Sequence, residues 1–429
     1  MPEPLDDARD AISFIDASPT PYHAVAEAAR RLTDAGFVEI DERDEWPGDP
    51  GGRFVRRGGS LVAWRGGATG PPSGFRVLGA HTDSPNLRVK PQPDLSSAGW
   101  RQVGVEVYGG ALLNSWLDRD LGLAGRVGVL GADGAELQLF RDDRPLLRVP
   151  QLAIHLDREV NQSGLKLNPQ VHLTPTWGLG PLDTGGFAAY LAAQLDVPTS
   201  AVVSWDVMVH DVVGGALAGL DAELLSSARI DDQLSCWAAV SALVTATSAG
   251  ADSGLVPVVA LFDHEEIGSQ SASGAGGDVL GTTLARVVRG AGGTYDDLAR
   301  AVAGSWLVST DGAHATHPNY AERHDPAHTV LVNRGPVLKH NANVRYATDA
   351  SGAAWFETRC RSVDVPVQHF VSRNDLPCGS TIGPISATRL GMPTVDVGAP
   401  QLAMHSAREL CGSSDARWLR AALTACLTG

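Results

Sequence analysis

Several things are scarce in this chain of 429 residues. No apolar run approaches the roughly 20 residues that a membrane-spanning helix needs. No cluster of lysine and arginine stands out, and 34 basic against 49 acidic residues give a formal charge of −15. Nucleic acid is therefore not an expected partner, because phosphate backbones are gripped by basic patches. The first ten residues, MPEPLDDARD, are acidic and unlike a secretory signal, so a cytoplasmic location and no membrane partner are expected. The five cysteines (Cys236, Cys360, Cys378, Cys411, Cys426) are odd in number and form no CxxC pair. They read as reduced, buried thiols rather than as a disulfide framework. No GxSxG elbow supports a serine hydrolase, and the glycine-rich SGAGGD at 273–278 lacks the lysine of a phosphate loop.

What is present is a globular composition, 43% hydrophobic and 19% charged, long enough for two or three domains. Ala8–Ala17 carries apolar residues at helical spacing, and a second helix starts at Thr20-Pro21, a cap followed by proline at the first helical position. Short strands follow in RFVRR, SLVAWRG and GFRVLGAHTDSP. From about Pro93 to Ala228 the period drops to two (VGVEVYG, AGRVGVLG, AELQLFR, AVVSWDVMVHD), with a hairpin turn expected at Ala132-Asp133-Gly134. After Arg229, helices expected at 232–249, 348–362, 379–390 and 407–427 alternate with apolar strands at 256–262, 305–309, 369–372 and 393–397. The pattern predicts an α/β domain of three layers with a mainly parallel central sheet, residues 1–92 and 229–429. It is interrupted by an inserted, mostly β domain, residues 93–228.

In open α/β sheets ligands gather beyond the carboxyl ends of the strands. Polar residues follow one predicted strand after another: His81-Thr82-Asp83, then Asp263, His264, Glu265 and Glu266, then Asp311 with His314 nearby. His405 lies in the loop before the last helix, and Asp231-Asp232 opens the helix after the insertion. Imidazole and carboxylate without thiolate suit Zn²⁺, or Mn²⁺ or Co²⁺. Two cations bridged by a carboxylate would neutralise the cluster and explain how adjacent glutamates tolerate one another. Asp83, two residues after His81, is placed to accept the other ring N–H of a metal-bound imidazole. Each feature has a plainer reading: Asp231 could cap its helix, and the glutamates could sit in a solvated loop. The run HATHPNYAERHDPAH offers His314, His317, His324 and His328, but proline and asparagine break it and it reads as loop.

Taken in order, GAHTDSPNLRVKP, SARIDDQLSCW, DHEEIGSQSASGA, STDGAHATHPNY, GPVLKHNANVRYATDA, RNDLPCGSTIGPI and GAPQLAMHSAREL resemble the aspartyl aminopeptidase family of di-zinc metallopeptidases, from about Ser18 to Arg408. The resemblance implies two zinc ions per subunit, with Co²⁺ or Mn²⁺ able to replace one. His81 and Asp311 would bind the first, Glu266 and His405 the second, and Asp231 would bridge them. Glu265 would be the general base for a metal-bridging water, with Asp83 supporting His81 beside it; His264 is left out. The resemblance further implies a preference for acidic first residues, with Lys339 and Tyr346 in the pocket. It also implies dimerisation through the inserted domain and a dodecamer built from dimers, in which His155 reaches a neighbouring subunit's active site. Asp232 stands where many relatives have Asn.

The expected function is hydrolysis of the first peptide bond of peptides with a free N-terminus. The alternatives are a broader-specificity aminopeptidase, or a deacylase or other amide hydrolase with the same metals. From a different class comes a non-catalytic, oligomeric metal-binding shell, against which the intact base Glu265 speaks.

Overall fold

The computed structural model describes residues 5–66, 70–132, 134–181, 185–248 and 254–428. Asp133 of the expected hairpin turn, residue 249 at the expected end of a helix, and the first four residues lie outside them. The chain divides into two compact units: Met1–Asp83 with Gly215–Met404 and Glu409–Gly429, and Ser84–Gly214 with His405–Arg408.

The first unit is built on a nine-stranded sheet. Its strands are β1 (Val38–Glu39), β2 (Gly52–Arg57), β3 (Ser60–Arg65), β4 (Gly74–His81), β5 (Leu255–Phe262), β6 (Trp306–Thr310), β7 (Val337–His340), β8 (Gln368–Val371) and β9 (Thr394–Gly398). They lie in the order β1-β2-β3-β5-β4-β6-β9-β7-β8. The middle four, β5-β4-β6-β9, are mutually parallel, and the whole sheet is mixed. Its centre is apolar on both faces because both are covered. Side chains alternate across a strand, so Leu78, Ala80, Val259, Leu261 and Val308 enter one core, and Val77, Val258, Ala260 and Leu307 enter another. The first core is closed by the helices Asp6–Ala17, Pro21–Asp34, Ile230–Ser248, Ala350–Arg361 and Ser413–Thr428, the second by Val279–Gly290 and Ile382–Leu390. Thr20 caps the second helix, its side chain accepting from the His23 amide.

The second unit is a six-stranded antiparallel sheet, in spatial order Gly134–Leu147, Leu121–Gly131, Val202–Asp211, Asn86–Ser97, Trp100–Tyr108 and Thr176–Leu179. Leu87, Val105, Leu123, Val127 and Val207 line its core together with Phe187 and Leu191 of the helix Gly186–Leu195, which the period-two pattern does not announce.

The sequence pattern places the domain boundaries at 92/93 and 228/229; the compact units part at 83/84 and 214/215. Pro91 and Pro93 sit inside one strand, Asn86–Ser97, whose pairing shifts register between Val89 and Asp94. Such an irregularity is where a sheet accommodates proline. The helix expected from 407 begins only at Ser413, because Glu409–Gly412 is a strand of a small five-stranded sheet. The helix expected from 379 begins at Ile382, after the Thr381 cap. No helix among the described residues is long and apolar enough to cross a membrane.

Candidate active site

Parallel register brings the polar strand ends together. His81 closes β4 opposite Phe262, the last residue of β5, so the residues following each strand leave the sheet side by side. Beyond Phe262 the chain makes one 3-10 turn, Glu265–Ile267, entered through His264 (φ 64°) and left through Gly268 (φ 97°). Beyond β6 comes Asp311. Asp231 stands at the start of Ile230–Ser248 with non-helical backbone, and its peptide bond to Asp232 is cis.

The buried groups His81, Asp231 and Asp311 each offer a ligand atom within 4.8 Å of the others, as do His81, Glu265 and Glu266. His81 Nε2 lies 3.4 Å from Asp231 Oδ1 and 3.9 Å from Asp311 Oδ2. Its Nδ1 faces Asp83, 3.0 Å from the carbonyl oxygen and 3.5 Å from Oδ1. The expected acceptor for the ring N–H is thus the backbone of Asp83 at least as much as its side chain. The carboxylate also braces the neighbouring turn, since Oδ1 accepts the Glu265 N–H and Oδ2 the Glu266 N–H, both at 3.1 Å. Cys236 Sγ, 2.9 Å away, donates to the His81 carbonyl.

Charge is crowded here. Burial pushes the Glu265 carboxyl up to about 8; the nearby His81 opposes the rise, while Asp311, Asp83 and Asp231 add to it. Burial also raises Asp232 well above the ordinary carboxylate range. For His81 burial disfavours the proton, but Asp232, Asp231, Asp83 and Glu265 together hold it well above the usual imidazole value. An acid cluster that must hoard protons is one a divalent cation would relieve, and its oxygen and imidazole donors suit zinc.

The remaining expected site residues are placed as follows. His405 belongs to the second unit, where its Nδ1 lies 3.1 Å from the Gly110 carbonyl oxygen. Lys339, expected in a substrate pocket, is buried with Nζ 3.0 Å from Asp311 Oδ1. Tyr346 is buried with its ring 6.3 Å from that of Phe370, and Lys339 Nζ lies 5.4 Å from the Tyr346 ring centre. His155 sits in an exposed turn of the second unit. His264 lies outside these clusters, with Nδ1 2.8 Å from Ser271 Oγ.

Two acids carry no clear signal in the sequence pattern. Glu409 Oε2 accepts the Asp231 N–H at 2.9 Å. Asp396, fully buried, accepts from the Ala347 N–H and from the Thr381 hydroxyl, both at 2.6 Å. A lone acid inside the apolar run PTVDV is the one hint of its place, since a buried carboxylate requires partners. Two glycines admit this packing: a Cβ on Gly398 would lie 1.8 Å from the Asp311 carbonyl oxygen, and one on Gly383 2.3 Å from Asp396 Oδ2.

A three-layer α/β unit with buried carboxylates and imidazole at its parallel strand ends defines a metallohydrolase of the zinc-peptidase kind. Residues 14–425 match the model of the aminopeptidase I zinc metalloprotease family, M18, and the chain belongs to that family. It is a zinc-dependent aminopeptidase, a hydrolase. A probable M18 family aminopeptidase 2 of Streptomyces coelicolor is 54% identical over 422 residues, covering 97% of this chain and 96% of the relative. Its namesake in Mycobacterium tuberculosis is 50% identical over 428 residues, covering 98% of each. Among solved structures, Ape4 in its complex with Nbr1 aligns with a TM-score of 0.94 at 38% identity, covering 98% of this chain and 85% of that one. The S. cerevisiae mApe1 dodecamer aligns at 0.85 and 29% identity, covering 98% and 96%.

Proposed function

We propose that the chain removes the first residue of peptides with a free N-terminus, using two zinc ions per subunit, with Co²⁺ or Mn²⁺ able to replace one. The clustering of His81, Asp231 and Asp311 beside Glu265 at adjacent strand ends carries this reading. His81 and Asp311 would hold one ion, Glu266 and His405 the other, and Asp231 both. His405 is assigned from its motif, and the Gly110 carbonyl at Nδ1 leaves Nε2 as the ligand atom. The metals, when bound, polarise the scissile carbonyl, lower the pKa of water and anchor the free α-amine.

Glu265 takes the proton of the attacking water and returns it to the leaving amine as the C–N bond breaks. Water and peptide thus become a free amino acid and a shortened peptide. Burial leaves the Glu265 carboxylate poorly solvated and therefore basic, which suits proton transfer near neutral pH. Asp83 fixes its backbone through the Glu265 N–H.

Acidic first residues are the preferred substrates, with Lys339 supplying the countercharge and Tyr346 packing beside it. The hold of Asp311 on Lys339 favours a second reading, broader specificity, because a substrate carboxylate must share that ammonium. By likeness to the mApe1 dodecamer we assign a dodecamer built from dimers through the inserted unit, with His155 serving a neighbouring subunit. Five free cysteines suit the reducing cytoplasm.

The test compares hydrolysis of free and N-acetylated aspartyl amides, with free alanyl amide alongside. Turnover of the blocked amide equal to the free one would sink the aminopeptidase mechanism. Equal kcat/KM for free aspartyl and alanyl amides would sink only the acidic preference.

A further inference from the structure

In the proposed metal centre Asp231 binds both ions, yet its own helix does little to place it. It stands at the start of Ile230–Ser248 with φ −81° and ψ 106°, outside helical geometry. The first amides of a helix have no carbonyl of that helix to donate to. The Asp231 N–H is taken instead by Glu409 Oε2 at 2.9 Å, from a strand 178 residues further along the chain. Both side chains are buried. For stability alone a neutral acceptor would serve such an amide as well, because a carboxylate buried beside another acid is costly to desolvate. Behind a metal ligand the same carboxylate is apt, since the bound cations offset the local charge.

Two strands fix the spacing of this pair. Leu224–Ser227 and Glu409–Gly412 are antiparallel neighbours, with Leu225 opposite Cys411 and Ser227 opposite Glu409. Leu225 and Cys411 are packed in the core of the first unit, which holds the ladder in register. A short turn leads from Ser227 to Asp231 through Arg229 (φ 55°). The Arg229 guanidinium donates to the carbonyls of Ser18, at 3.0 Å, and Ile15, at 3.3 Å. On the other side Asp232 Oδ2 accepts the His81 N–H at 3.1 Å. Asp231 Oδ1 and His81 Nε2 stand 3.4 Å apart, and each residue is thus anchored through its main chain by a buried carboxylate. Asp83 holds Glu265 and Glu266 in the same manner.

We propose that Glu409 is a positioning residue for the metal centre. By holding the Asp231 amide it sets the direction of the Asp231 carboxylate, so that its two oxygens serve the two ions. Glu409 itself touches neither metal nor substrate. This role rests on the reading of Asp231 as the bridging ligand.

The test compares Glu409→Leu, Glu409→Gln and Asp231→Ala with wild type as full-length proteins stripped of metal. Zn²⁺ affinity is measured by competition with a chromogenic chelator. Co²⁺ loading is followed by its visible absorption, which reports ligand geometry. Glu409→Leu removes the acceptor and should weaken zinc binding about 10- to 100-fold, shift the Co²⁺ bands and lower kcat with little change in KM. Glu409→Gln keeps the length and an acceptor oxygen, and should lie nearer wild type in each readout. Wild-type zinc affinity and Co²⁺ spectrum in Glu409→Leu overturn the proposal even where its melting temperature has dropped, because a merely structural contact changes stability alone. Equal losses in the Leu and Gln variants overturn it too. Where Glu409→Leu does not fold, Glu409→Asp, whose shorter side chain draws the acceptor back, takes its place with the same expectations. Asp231→Ala separates the two levels. Wild-type affinity for both ions in that variant removes the bridging role of Asp231; weakened binding there, with none in Glu409→Leu, removes only the role of Glu409.

Discussion

Asp83→Asn tests how the candidate site is braced. The carboxylate accepts the amides of Glu265 and Glu266 on separate oxygens. Asparagine keeps its shape but offers one acceptor oxygen and one NH₂, so one of the two amides must face a donor. The loss combines a charge-assisted bond, about 1.5–3 kcal/mol, with a buried donor left unmet, about 1–3 kcal/mol. A destabilisation of about 2.5–6 kcal/mol follows from adding the two. The turn Glu265–Ile267 would shift with it, and a misplacement of about 1 Å at a catalytic group costs about 100-fold in rate. Glu266 moves with that turn and His81 loses the charge beside it, so zinc affinity should fall along with activity. Denaturant midpoints, kcat/KM on a peptide amide and metal analysis on one preparation make the assay. Wild-type activity and stability would refute the bracing role of Asp83; so would loss of zinc without loss of stability.

Glu265→Gln should lower kcat about 10²- to 10⁴-fold, the usual share of a general base, while metal content and fold stay as in wild type; undiminished turnover removes Glu265 from that role. Lys339→Met should lower kcat/KM on acidic substrates more than on neutral ones, and an equal loss on both would assign Lys339 to the Asp311 pair alone. A chelator should abolish hydrolysis and added Zn²⁺ restore it; hydrolysis that survives complete metal removal refutes a metal-dependent reaction. Asp415 lies outside the clustered site residues. Burial pushes its carboxyl up to about 7, although the Asn333 and Gly335 amides donate to it. The folded state then holds a proton that the unfolded chain, with the ordinary aspartate value of 3.8, releases. This contribution makes stability fall as pH rises from about 4 to about 7 and stay flat above, by about 4 kcal/mol at 1.36 kcal/mol per unit. The difference in unfolding free energy between wild type and Asp415→Asn should trace that slope, and a pH-independent difference refutes it.

The strand ends are legible in the sequence because apolar runs such as VVALF break abruptly into acids, and a parallel sheet gathers such ends on one rim. His81, Glu265, Glu266 and Asp311 stand out this way. The hidden parts depend on tertiary pairing. Nothing near Lys339 in the chain announces Asp311, 28 residues away, and nothing beside Glu409 announces the Asp231 amide. Strand limits fail for a local reason: the change of texture at Pro93 looks like a boundary, yet Pro93 lies within the strand Asn86–Ser97. The strand Glu409–Gly412 is hidden because a four-residue segment abutting a helix shares its apolar content.

Gly398 and Gly383 carry a consequence beyond geometry. Neither has a side chain to offer metal or substrate, yet the main chain of Asp311 and the carboxylate of Asp396 rest where their side chains would begin. In a mutational scan these two positions should therefore be as unforgiving as the ligands themselves. Their failure would have a different signature: added zinc would not rescue it, and a conservative replacement does not exist because alanine is already too large. Part of the site's specification is thus written as empty space, where a scan sensitive only to reactive side chains would see nothing.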